Sequence, residues 1–194
     1  YAKLLTDRAK ELLKLSDTVV CDAYFSKEPF VTKLWDVGLH VVSRFRDDVR
    51  LQYIIPKVMT GKRGRPKEYE GAVDLENLDM KHFSLVEHEC KNVLIYTAIV
   101  KAIALKRIVK VIFVQYMDNG KVKASKIYFS TKTSLEAMEI LDIYQTRFQI
   151  EFLYRDAKQF TALTTCQARD KEKMNFHFNM SLTAVNVAKV IHWF

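Results

Sequence analysis

Two runs of ten residues, RIVKVIFVQY at 107–116 and KVKASKIYFS at 121–130, flank the tetrapeptide MDNG. Both are rich in β-branched and aromatic residues with an alternating rhythm, and Asn-Gly is the dipeptide that best accepts the two positive φ angles of a type I′ turn. The runs are therefore predicted to pair as an antiparallel hairpin. HFSLVEHE at 82–89 and NVLIYTAIV at 92–100 carry similar alternation, and a polar, glycine-rich stretch, GKRGRPKEYEG, precedes them. Residues 47–133 thus read as a block of antiparallel strands.

The flanks follow a different period. Residues 2–15 space leucines for a helix, DTVVCD at 17–22 reads as a short buried strand, 26–37 as a helix, and LHVVSRF at 39–45 as a second strand. Ser26 is the expected N-cap of that helix, with Glu28 and Pro29 in its first turn and Gly38 beyond its end. Helix, strand, helix, strand with short connections is the order of an α/β sheet. The helical period returns at Ser134, expected as an N-cap, and runs past Lys158; a final helix is expected from about Lys171 to the end. The expected organisation is an α/β core segment at 1–46, an inserted β-rich subdomain with a basic loop at 47–133, and C-terminal core helices at 134–194.

Charge narrows the class of partner. The formal net charge of +8 favours a polyanion such as nucleic acid. Three cysteines, Cys21, Cys90 and Cys166, lie far apart and form no CxxC pair, which argues against a disulfide framework or a zinc knuckle and for a reducing, cytoplasmic setting. No apolar run approaches the ~18 residues of a membrane span. The chain begins at Tyr1 in a helical pattern and ends within another, which suggests a piece of a longer protein.

The stretch YQTRFQIEFLYRDAK, Tyr144 to Lys158, is the most specific signal. On one continuous helix at about 100° per residue, Tyr144, Arg147, Glu151 and Lys158 fall within an arc of roughly 60°, beside an apolar arc of Ile143, Ile150, Leu153, Ala157 and Phe160 expected to pack on a sheet. A solvated face with an Arg147–Glu151 pair at i,i+4 explains this economically. A chemical reading also fits: the carboxylate helps hold Mg²⁺ while the cations hold phosphates beside it and Tyr144 stacks on a base or bonds a phosphate. That reading needs a second acid. Asp22 closes the strand DTVVCD, at the carboxyl end where α/β sheets place their sites; a capping or turn aspartate is the plainer alternative.

The spacing Tyr144, Arg147, Glu151, Lys158 resembles the YREK signature of insertion-sequence transposases of the insertion sequence 4 type. VVCDAYFSKEPFVTKLWDVGLHVVSRFRDD resembles the segment around that family's second catalytic aspartate. The resemblance spans nearly the whole chain. It implies a partial ribonuclease H-like core whose first three strands are absent, with the β insertion placed before the catalytic helix. Asp22 and Glu151 would be the second and third members of an Asp-Asp-Glu triad, binding Mg²⁺, or Mn²⁺ in its place, for two-metal DNA cleavage and strand transfer. Tyr144, Arg147 and Lys158 would grip the transposon-end DNA. The partner implied is double-stranded DNA, transposon ends and target, held by a homodimer near the bacterial nucleoid.

No residue here matches the family's first aspartate, because Asp7 lies in a helical pattern and Asp17 begins the strand of Asp22. The chain alone is expected not to cleave DNA, and Mg²⁺-dependent strand transfer by these 194 residues would refute that. GKRGRPK contains RGRP, as in minor-groove hooks, so Lys62, Arg63, Arg65 and Lys67 are candidate DNA contacts; a mobile basic loop is the plain alternative. His82, His88 and Cys90 would share one side of an alternating strand, where surface histidines are a better reading than metal ligands. Two other functions stay open: a domesticated DNA-binding or assembly module without catalysis, and a metal-dependent nuclease of the same fold.

Overall fold

The computed structural model describes residues 1–55, 69–90 and 92–193. It contains two compact units, 1–145 and 146–194. Among the described residues no helix is long and apolar enough to cross a membrane.

The first unit is a mixed α/β structure around one sheet. Its strands are β1 (Thr18–Val20), β2 (His40–Arg44), β3 (Leu51–Ile54), β4 (Tyr69–Ala72), β5 (Ser84–Val86), β6 (Val93–Ala102), β7 (Arg107–Asp118) and β8 (Lys121–Ser130). The order is β1-β2-β8-β7-β6-β3-β4, with β5 also on β6. Among the described residues only β1 and β2 run parallel; β2 then meets β8 antiparallel, with Val42 opposite Ser130 and Arg44 opposite Tyr128. The strands after β2 therefore continue the sheet that β1 and β2 begin.

The hairpin has the predicted turn. Asn119 and Gly120 take φ of 50° and 75°, the two positive angles of a type I′ loop, and Asp118 pairs with Lys121. The β5 segment is shorter than its apolar pattern suggested, three residues against eight.

Helices cover both faces. On one side α1 (Ala2–Asp7), α2 (Ala9–Leu12) and α3 (Glu28–Trp35) bury Ala9, Val31 and Leu34 against Val41, Val111 and Phe129. On the other, α4 (Ala137–Gln145) sets Ala137 and Ile140 against Val42, Ile112, Val114 and Tyr128. Alternation along β2 sends Val41 to one layer and Val42 to the other, and both are fully buried. A strand covered on both faces reads as an unbroken apolar run, which is why HVV looks as it does.

Two local expectations here need correction. The single helix over 2–15 is two short ones, parted at Arg8 (φ −110°, ψ 14°). Ser26 does not cap α3, whose N-cap is Lys27; instead the Ser26 hydroxyl lies 2.9 Å from both Ser43 Oγ and the Arg44 carbonyl, tying the approach to α3 onto β2. Pro29 does stand in the first turn, and Gly38 (φ 84°) lets the chain turn out of α3 while Leu39 N–H bonds the Leu34 carbonyl at 2.9 Å.

The second unit is a helix pair, α5 (Phe148–Phe160) and α6 (Lys171–Trp193). The continuous helix expected from Ser134 past Lys158 is interrupted after Gln145, so Tyr144 ends α4 and the rest of the motif belongs to α5. Leu153 and Ala157 pack with Leu163, Leu182 and Val185, not on a sheet, while Ile150 and Phe160 are exposed. Reciprocal hydrogen bonds join Thr161 and Ser181: Thr161 Oγ1 donates to the Ser181 carbonyl at 3.0 Å and Ser181 Oγ to the Thr161 carbonyl at 2.8 Å. The final helix starts at Lys171 as expected, where Asp170 Oδ1 accepts from the N–H groups of Glu172 (3.0 Å) and Lys173 (3.1 Å).

Candidate functional site

Asp22 follows β1 at the edge of the sheet and is exposed. Its Oδ1 accepts the Tyr24 N–H at 2.9 Å, capping a single 3₁₀ turn at Ala23–Phe25. The capping role weighed from sequence is thus real, but it uses one oxygen; Oδ2 makes no hydrogen bond among the described residues. The backbone there is fixed from β2: Ser43, fully buried, has its hydroxyl 2.9 Å from the Asp22 carbonyl, and Cys21 N–H bonds the Val42 carbonyl at 3.1 Å. Burial pushes the neighbouring Cys21 thiol up to about 11, so it stays protonated and inert at neutral pH.

Arg44 stands beside this position on β2. It shares a sheet face with Val42 and Tyr128, and its Nε is buried with no hydrogen-bond partner among the described residues. Tyr128 carries a phenol pushed strongly upward, mainly by burial and further by neighbouring Tyr116 and Tyr144, with Arg44 partly opposing. Tyr144 is half-buried, its ring 4.7 Å from that of Tyr128. Lys126 lies over the Tyr116 ring at 5.5 Å. The face that carries Val42 and Tyr128, otherwise apolar, therefore ends in phenols and cations. Of these, sequence reading singled out only Tyr144. The signal available was Arg44 itself, two residues beyond Val42 and so on the same face of a buried strand.

In the second unit, α5 carries Glu151 in its first turn and Lys158 in its last. Arg147 Nη1 pairs with Glu151 Oε1 at 2.9 Å, the i,i+4 pair that the plainer sequence reading offered. Arg147 also lies 4.6 Å over the Phe148 ring, while its Nε is buried without a hydrogen-bond partner among the described residues. An i,i+4 helix pair of this kind is worth only about 0.3–0.5 kcal/mol, so it holds Glu151 loosely, and among the described residues Oε2 makes no hydrogen bond or ion pair. Lys158 is exposed and enters no ion pair among the described residues. Arg155, also exposed, pairs instead with Asp156 at 3.1 Å, and Lys189 reaches the same carboxylate at 3.5 Å.

The remaining candidates divide. Lys62, Arg63, Arg65 and Lys67 lie outside the described residues. His82 stacks on Tyr53 at 4.4 Å and meets Glu70 at 3.1 Å, whereas His88 Nδ1 accepts the Cys90 N–H at 3.2 Å. With β5 confined to Ser84–Val86 these three side chains do not line one strand face. Among the described residues no three His, Cys, Asp or Glu side chains gather as a metal group. A second polar knot sits at the opposite end of β1: Lys132 Nζ bonds Asp17 Oδ2 at 2.6 Å, and Thr131 Oγ1 lies 3.4 Å from His40 Nδ1.

No curated protein matches the chain. Residues 2–187 match the family model described as the transposase DDE domain.

Proposed function

The chain belongs to the transposase DDE domain family, and from that premise we propose that Asp22 and Glu151 are two of its catalytic carboxylates and that its substrate is double-stranded DNA. The family cuts and joins DNA. The observation that carries the assignment is Asp22 itself: an exposed carboxylate at the carboxyl end of β1, held by its backbone, with one oxygen that makes no hydrogen bond among the described residues. It precedes the Tyr144, Arg147, Glu151, Lys158 spacing in the order the insertion sequence 4 type requires.

Hard divalent cations take oxygen ligands. In donor chemistry the two carboxylates suit Mg²⁺ or Mn²⁺: among the described residues neither Asp22 Oδ2 nor Glu151 Oε2 makes a hydrogen bond or ion pair. Two carboxylates are fewer than such an ion uses, so phosphate oxygens of bound DNA complete the set. A bound divalent cation supplies Lewis-acid stabilisation of charge at the phosphate under attack. The protein's own groups hold and orient. Asp22 presents a fixed oxygen; Arg147 keeps Glu151 turned along the helix surface and exchanges part of that pairing for DNA phosphate; Lys158 adds a second phosphate contact. Tyr144, packed on Tyr128, offers its ring or hydroxyl to the strand. Two copies, one per DNA end, make the synaptic assembly.

Mn²⁺ titration followed by electron paramagnetic resonance, with a duplex present, tests this. Asp22→Asn and Glu151→Gln should each weaken Mn²⁺ binding by at least the roughly tenfold that loss of an outer-shell partner costs. The Arg147–Glu151 pair at 2.9 Å gives one specific point to the rival reading, an assembly module without catalysis. On that reading both substitutions leave Mn²⁺ binding unchanged.

A further inference from the structure

Immediately after Asp22 the chain enters the wall of a cavity of about 350 Å³. It opens where the link into α3, the β2–β3 connection and the β6–β7 turn come together, all within the first unit. Phe45 and Ile103 lie on its apolar side; Lys27, Arg46 and Arg50 supply three cations and Asp48 one carboxylate, three minus one leaving a formal +2.

The walls are built in. Phe45 stacks on buried Phe129 with ring centroids 4.0 Å apart, and its N–H bonds the Ile127 carbonyl at 2.8 Å. Ile103 N–H bonds the Arg50 carbonyl at 3.1 Å and Val49 N–H the Arg46 carbonyl at 3.2 Å, so the arms that carry both guanidinium groups are pinned to neighbouring backbone. The heads are free. Among the described residues none of the three cations meets a carboxylate within 4.0 Å, although Asp48 lines the same cavity; Lys27 instead rests 4.2 Å over the Tyr24 ring.

Exposed cations on a basic protein are ordinarily just solvated. Here they ring an apolar floor, in a cavity within the ~300–1,000 Å³ range of ligand sites, one residue from the proposed metal carboxylate. A sugar–phosphate unit has this chemistry, an apolar ring between two anions. The geometry points to a site for one nucleotide of the DNA strand that passes Asp22. Its deoxyribose lies on Phe45 and Ile103, and its flanking phosphates lie on Arg46, Arg50 and Lys27. This rests on the transposase reading above and extends its DNA track beyond Asp22 within the first unit.

Fluorescence anisotropy of the 194-residue protein with a labelled duplex, in EDTA across a salt series, tests the site without recourse to metal or to Glu151. Each lost phosphate contact lowers the slope of log Kd against log salt by about 1. The Arg46→Ala/Arg50→Ala protein should therefore lose about 2, and Lys27→Gln about 1. Asp48→Asn should tighten binding, and Lys121→Ala/Lys123→Ala at the hairpin tip should leave the slope unchanged. The four cavity positions substituted, Lys27, Arg46, Asp48 and Arg50, are all exposed, so these proteins should fold as the parent does. If the parent binds DNA but the double variant keeps its slope, or if the hairpin-tip control loses as much, the nucleotide site is overturned and the transposase reading stands. If the parent binds no DNA, both fall.

Discussion

The two units bury their side chains in different ways. In the first, a sheet is sandwiched between helices, and Val31, Leu34, Val41, Val42, Ile112, Phe129 and Ile140 are all fully enclosed. In the second, the buried apolar residues are Ala157, Leu163 and Val185, and α6 leaves Phe176, Val187, Val190 and Ile191 more than half exposed. The two proposed carboxylates differ accordingly. Asp22 is fixed by sheet backbone, while Glu151 is steadied by one exposed arginine pair. If both serve one ion as proposed, Glu151, on the lightly packed helix, is the adjustable partner.

The contrast can be broken by substitution. Phe129→Ala removes a ring with no exposure that stacks on Phe45; it should cost about 3–5 kcal/mol and lower the urea midpoint of the whole sheet. Leu163→Ala should cost about 2–3 kcal/mol, the low end of the Leu→Ala range, because its surroundings are few enough to collapse; the loss should appear in helical signal from residues 146–194. Hydrogen exchange sharpens the same comparison. Amides of β7 should exchange only on global unfolding, whereas those late in α6 should open at lower free energy. A uniform rate across both would erase the distinction.

The smallest expected effect is on pH dependence, and it belongs to the sheet unit. Burial lowers the His40 pKa below 6.5, with Lys132 adding and Asp17 opposing. The hydrogen bond from Lys132, then that from Thr18, lowers Asp17 below 3.8. In both cases the unfolded chain binds the proton more readily, so each contribution is present above the unfolded pKa and is lost as pH falls towards the folded one. Stability should decline on acidification, first below pH 6.5 through His40 and then below 3.8 through Asp17. His40→Gln should flatten the first step in a urea-midpoint series and leave the second.

What the sequence disclosed follows the same division. The hairpin at Asn119-Gly120, the helix closed by Gly38 and the helix beginning at Lys171 were legible because each rests on a local rule of backbone geometry. The break between Gln145 and Phe148 was not: both sides keep the helical period, and neither glycine nor proline marks the junction. The divided core of residues 2–15 was hidden likewise, since Arg8 is as good a helix former as its neighbours. The position of Asp22 just beyond β1 was legible because it ends a short strand pattern. The cavity formed by Lys27, Arg46, Arg50 and Ile103 was invisible, since its three segments meet through the pairing of β3 with β6 and the Ser26 hydrogen bonds to β2.

The central claim is that residues 22 and 151 serve one divalent-ion site on DNA. Fe²⁺ replaces Mg²⁺ at such sites and, with ascorbate and peroxide, cuts nearby backbone. With a duplex bound, the account predicts cuts in the chain around both Asp22 and Glu151, each lost in Asp22→Asn and in Glu151→Gln. Cleavage near only one of the two positions, or unaltered cleavage in either variant, would contradict it.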